Sequence, residues 1–441
     1  MQRRVRVPAT VVISVAIAVF GSATDALASA IAIQRDSNLN DGELMNLIRW
    51  QMFSHGTALA STLLLAGALF GIANRLSRWQ RTIVLIAAWL HVVWLAWSCA
   101  RPVLFELIDD PALMELLTVW VWRLMGLATF AAIVLLTIAA RAWWRPYSAF
   151  VVVAAVVLVV LELVPWAPYL STWIHSLRTE HRLVYQAIWP LREILSDGAF
   201  LVVIHALMRD TTEPLPDLNG ATSWFRRAEA SIIVRIVAAV LLALVGLSNA
   251  PGAIKLVLVV GPMIAVACML AFGWCMLAVE RAAISDMPRI RFLLGGTIAA
   301  WLAGIQLLQA TSAYNMLRSD AMRNSFDTEA ATMWTIIGPL IGIVGMVLVC
   351  SAIARFALIR GNHALRERAI SRAIILAVLQ VIVMLMPFAL AKLTSVGMMI
   401  ILSLTLAGMA IAALVMLAGL MRQAADAIGT APELPVARLR S

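Results

Sequence analysis

Long apolar runs separated by short polar clusters recur along nearly the whole chain. A helix needs roughly 20 apolar residues to cross about 30 Å of hydrocarbon, and a spanning helix satisfies its backbone polar groups internally. Runs of that kind lie at 9–33, 46–73, 82–100, 113–140, 147–168, 183–208, 230–248, 254–279, 292–314, 332–356, 372–392 and 395–421. They predict an all-α integral membrane protein with about twelve transmembrane helices, or about eleven if the amino-terminal run is a cleaved leader.

The polar stretch RDTTEPLPDLNGATSWFRRAE, 209–229, is the longest interruption in this pattern. It divides the chain into an amino-terminal six-helix membrane block (1–208), a cytoplasmic linker (209–229), a carboxy-terminal six-helix block (230–421) and a cytoplasmic tail (422–441). Short matches connect the blocks: WLAW at 94–97 with WLAG at 301–304, and LMR at 207–209 with LMR at 420–422. These matches fit an internal duplication.

Composition reinforces the membrane reading. The 441 residues are 62% hydrophobic and only 13% charged, with a mean hydropathy of +0.92, well outside the range of soluble domains. The net charge of +10 points first to nucleic acid, but the basic residues do not form one face. Sorted alternately by loop, about two thirds of the 34 Lys and Arg fall on the amino-terminal side, among them Arg75, Arg78, Arg81, Arg281, Arg289, Arg291, Arg355, Arg360 and Arg366. This positive-inside pattern predicts an inner (plasma) membrane protein with both termini cytoplasmic, whose surroundings are lipid and not nucleic acid.

Residues 1–30 combine a basic start, an apolar middle and Ala26-Leu27-Ala28, as a leader peptide would. The apolar stretch continues to Ile33 and Asp25 lies close to that cut, which favours an uncleaved span. The four cysteines, Cys99, Cys268, Cys275 and Cys350, fall inside predicted spans with no CxxC pair. Neither a disulfide framework nor a thiolate metal site follows.

Two six-helix blocks joined by a long cytoplasmic linker are similar to the architecture of major facilitator transporters. That resemblance is one of element count. In GIANRLSRWQR, 71–81, Asn74-Arg75 stands where that family carries Asp-Arg, and the second glycine is absent, so membership does not follow. Break signals at Trp189-Pro190, Gly261-Pro262 and Gly338-Pro339 predict kinked helices, and Gly338, Gly342 and Gly345 predict close approach by a neighbouring helix.

Charged groups inside spans are the candidate chemistry, because each costs about 2.5–3.5 kcal/mol at the centre of an inserted helix. Arg123, Glu162, Arg192, Glu193 and Asp197 all belong to the first block, and Arg101 closes its third span. In WPLREILSDGAFLVVIHALMRD, 189–210, helical spacing puts Glu193 and Asp197 on one face. Two carboxylates that close repel, so one is held protonated unless Arg192, Arg123 or Arg101 offsets it. This arrangement suits a proton-coupled or anion-binding cavity of a secondary transporter for a small or amphiphilic solute. The competing reading keeps 183–197 on the outer surface, where its charges are solvated.

Histidine supports a second function. His55 and His91 lie on sequential antiparallel spans at similar predicted depth, and paired imidazoles ligate haem iron, so a membrane haem or quinone redox protein is the alternative. His55-Gly56-Thr57 is loosely similar to the haem-ligand region of haem-copper oxidases, whose other histidines are missing here. A non-catalytic scaffold or accessory subunit is the third reading. Metalloprotease, nucleophile-elbow and Walker motifs are absent from the sequence, and an enzyme is the less favoured class.

Overall fold

The computed structural model describes residues 12–21, 23, 41–73, 76–107, 218–247, 253–282, 288–318, 328–390 and 396–429, with isolated helical positions between 112 and 207. Only the backbone is described at 41–55, 101–107, 308–318 and 328–336. The described residues are almost entirely helical and contain no strand. We number the continuous helices α1 (Val12–Gly21), α2 (Asp41–Ala73), α3 (Arg78–Leu107), α4 (Leu218–Leu247), α5 (Ala253–Arg281), α6 (Arg289–Arg318), α7 (Thr328–Ile359), α8 (His363–Leu390) and α9 (Val396–Gly429).

Seven of them contain a described stretch long and apolar enough to cross a membrane: α2, α3, α4, α5, α6, α7 and α9. Exposure supports lipid as their solvent. On α4 the exposed large residues are Ile233, Val234, Val237, Val240, Leu241 and Leu244, and on α8 they are Ile370, Ile374, Ile375, Val378, Val381 and Leu385. Steps of three and four residues place each set on one helix face, and such continuous apolar stripes are not stable against water. The predicted spans 113–140, 147–168 and 183–208 fall where only isolated positions are described.

The chain forms two compact units. The first comprises 1–214, 245–267 and 300–334; the second comprises 215–244, 268–299 and 335–441. Each of the helices α4 to α7 therefore contributes to both.

In the first unit, α1 and α2 meet through small polar residues. Ser14 Oγ donates to the Ser61 carbonyl at 3.0 Å and Ser61 Oγ to the Ser14 carbonyl at 3.2 Å, both buried. In lipid the apolar effect does not drive helices together, so reciprocal hydrogen bonds and close backbone approach carry such contacts. The α2–α3 corner is tight: α2 ends at Ala73, Ser77 Oγ donates to Gln80 Oε1 at 2.6 Å, and the Ser77 carbonyl accepts the first helical bond from Arg81 N at 2.8 Å. Within the segment 71–81, residues 71–73 close α2 and residues 78–81 open α3. Leu65, Leu69 and Ile72 of α2 pack with Val84, Ala87 and Ala88 of α3 beneath it.

The second unit is built on small-residue contacts between α5, α6 and α7. A Cβ on Gly296 would lie 2.8 Å from the Gly273 carbonyl oxygen of α5, and one on Gly345 of α7 would lie 2.8 Å from Ile298 Cγ2 of α6. Gly345 therefore does permit the close approach its spacing predicted. Pro262 and Pro339 are both contained within continuous helices.

Two helices extend beyond the apolar runs that predict them. Residues 218–229 of the polar stretch are the opening turns of α4, with Ala221, Phe225 and Ala228 buried, and Phe225 meets Phe292 of α6 edge to face at 5.8 Å. Residues 422–429 continue α9, with Ala424, Ala425 and Ile428 buried. Both segments are amphipathic, so their polar residues mask an apolar stripe at helical spacing. Arg226 of α4 pairs with Asp426 of α9 at 2.5 Å, and this exposed ion pair joins the two extensions.

Candidate functional site

An open cavity lies in the second unit, at the meeting of α6, α7 and α8. Its position follows from a local signal, Arg360-Gly361-Asn362. Gly361 has φ +71°, the left-handed conformation in which glycine ends helices, and its N–H bonds the Leu358 carbonyl at 3.1 Å while Asn362 N–H bonds the Ala357 carbonyl at 2.8 Å. These paired bonds are a Schellman termination. Asn362 then caps the next helix, its Oδ1 accepting from Leu365 N–H at 3.0 Å. The reversal takes only three residues, and it brings the end of α7 beside the start of α8.

The cavity, of about 550 Å³, is lined by Arg291 of α6, Ser351, Ala354, Arg355, Leu358 and Ile359 of α7, and Arg366 and Ile370 of α8. Three arginines from three helices thus line one open, largely apolar cavity, and no carboxylate is on its lining. Arg291 is half-buried and donates from Nη1 to the Ser351 carbonyl at 3.2 Å, which holds its side chain along α7. Arg355 and Arg366 are exposed, and among the described residues neither forms an ion pair. Leu358, Ile359 and Ile370 form an apolar wall that is 43–51% exposed.

Of the residues singled out from the sequence as candidate chemistry, His91 has a described side chain. Arg101 is in the last turns of α3, where only the backbone is described. Arg123, Glu162, Arg192, Glu193 and Asp197 lie outside the described residues. His55 is on α2 with its side chain likewise outside them, and His91 is a half-buried residue of α3.

The His91 ring nitrogen Nδ1 lies 2.8 Å from the Ala87 carbonyl oxygen. A carbonyl only accepts, so Nδ1 carries the proton and any metal bond would fall to Nε2. The α2–α3 corner sets the relative height of the two histidines: counting back from Ala73 and forward from Arg78, they are offset by about five residues, roughly 7 Å along the helix axis. The neighbours of His55 in sequence serve packing. A Cβ on Gly56 would lie 2.9 Å from the Trp301 carbonyl oxygen, and Thr57 fills the space beside Gly21. Among the described residues no group of three or more His, Cys, Asp or Glu is arranged to hold a metal ion.

Comparison with protein-family models, curated proteins and solved structures yields no match to this chain. Its chemistry must therefore be argued from its own residues.

The convergence of Arg291, Arg355 and Arg366 was not anticipated from sequence, where each served only as evidence for topology. A usable signal was present. Arg366, Ile370, Ile374 and Val378 are spaced four apart, so an arginine heads an apolar stripe on α8.

Proposed function

We propose that this protein is a secondary transporter of a small or amphiphilic solute, embedded in the inner membrane with both termini cytoplasmic. In this reading it has twelve spans in two blocks of six, and the solute cavity belongs to the first block. The observation that carries the proposal is the grouping of Arg192, Glu193 and Asp197 within one otherwise apolar segment. Intramembrane charges are costly and face bundle interiors or water-filled cavities. Glu193 and Asp197 would exchange protons, Arg123, Arg101 and Arg192 would hold an anion or tune those carboxylates, and Glu162 would complete the network.

The test uses purified protein in proteoliposomes loaded with a pH-sensitive dye and exposed to a panel of organic anions and amphiphiles. At least one solute class should drive proton movement, and E193Q/D197N should abolish it while folding and expression are retained. Unchanged proton movement in that double variant removes the reading.

A further inference from the structure

We infer that the cavity between α6, α7 and α8 is a binding site for a phosphate ester carried on an acyl chain, the headgroup of an anionic phospholipid. The charge of the cavity is the first reason. Segments 289–291 and 355–372 contain seven arginines and one glutamate, and three of those arginines line the same open cavity, on which no carboxylate is found. Guanidinium groups match phosphate oxygens through paired N–H donors, and they remain charged at any accessible pH. Arg291 is already oriented by the Ser351 carbonyl, and the Gly361-Asn362 corner holds Arg355 and Arg366 on facing helices. Arg291 is thus pre-ordered, while the exposed Arg355 and Arg366 side chains are ordered by the ligand.

The apolar side of the cavity selects the form in which the phosphate arrives. Ile370 begins an exposed stripe on α8 that continues through Ile374, Val378, Val381 and Leu385. A second exposed stripe runs from the cavity along α7 through Val347, Val344 and Leu340. From Arg366 to Leu385 the rise is about 28 Å, more than the roughly 15 Å depth of one leaflet. A soluble phosphate leaves both stripes uncovered, whereas a phospholipid seats its phosphate among the arginines and lays its chains on them. Basic pockets between spanning helices are suited to such headgroups. Assignment to the cytoplasmic leaflet rests on the proposed topology, but the binding itself does not.

The full-length protein in detergent is titrated by native mass spectrometry with phosphatidylglycerol, phosphatidylcholine and inorganic phosphate. We expect phosphatidylglycerol to bind most tightly, and R355Q/R366Q to weaken it about 30-fold at unchanged melting temperature. If the double variant does not fold, R355Q and R366Q singly should each cost about fivefold. R355K/R366K retains the charge and loses the planar fork; undiminished binding by that variant, or equal binding of phosphatidylcholine, overturns the proposal. Inorganic phosphate that binds as tightly as phosphatidylglycerol assigns the site to a soluble anion and overturns the lipid. None of these outcomes depends on Glu193 or Asp197, so failure here and failure of the transport reading are distinguishable.

Discussion

A Cβ placed on Gly295 of α6 would lie 3.4 Å from the Gly345 carbonyl oxygen of α7 and 2.5 Å from Val349 Cγ2. Each glycine therefore receives a side chain of the other helix, Val349 against Gly295 and Ile298 against Gly345, and overpacking that seam should cost about 1–3 kcal/mol. We expect G295L and G345L each to lower the melting temperature of the purified protein clearly. Gly408 has nothing within 4 Å of an added Cβ, and G408A at that helical position should raise stability by about 0.5–1 kcal/mol. Equal melting temperatures for G295L and wild type would show that α6 and α7 do not approach so closely.

The α7–α8 corner separates backbone strain from crowding. Gly361 has φ +71° and open space around it, so G361A meets no neighbouring atom and incurs only the conformational cost, about 1 kcal/mol. N362A removes the cap on Leu365 N–H at a similar cost, about 1 kcal/mol. N362D retains an accepting oxygen and should stay near wild type. A neutral N362A in thermal unfolding would mean that the cap does not set the start of α8.

The Arg226–Asp426 pair links the opening turns of α4 and the closing turns of α9 but has both side chains about half exposed. Exposed pairs contribute about 0–1 kcal/mol and weaken with salt. R226Q should therefore change the melting temperature little, and less at high salt than at low. F225A, in contrast, opens the buried contact with Phe292 and should cost about 3–5 kcal/mol. If R226Q proved the more damaging of the two, the extensions would be held by charge and not by packing.

The redox alternative is decided by a reduced-minus-oxidised absorbance spectrum of the purified protein. We expect no haem band. A band lost in H55A or H91A would make this an electron-transfer protein and displace the transporter reading.

Topology is tested with reporters fused after Ser441. A fluorescent protein there should be bright and alkaline phosphatase inactive, as the excess of arginine in the amino-terminal-side loops requires. Active phosphatase would reverse the orientation and place the arginine cavity in the opposite leaflet.

The sequence by itself determined the membrane class and the course of most described helices. Apolar run length locates α5, α6 and α7 to within a few residues, because spanning hydrocarbon is a local requirement on each segment. The α7–α8 corner was not read from apolar run length, which starts the next span at 372, because Gly361 and Asn362 end and restart helix through backbone bonds within four residues of themselves. Amphipathic stretches were harder to read. Ala221, Phe225 and Ala228 lie between arginines and other polar residues, so average polarity marked 218–229 as a linker while periodicity made it a helix.

Only the tertiary structure decided which helices touch and which charges share a space. In a bilayer the lipid-facing and helix-facing sides are both apolar, so hydrophobic periodicity does not distinguish a packed face from an exposed one. Gly295 and Gly296 are adjacent in sequence yet serve two different neighbours, α7 and α5, and nothing local specifies which. Arg291 is about sixty residues from Arg355 in the chain, and it reaches the same cavity because α6 and α7 pack closely enough for its guanidinium to bond the Ser351 carbonyl.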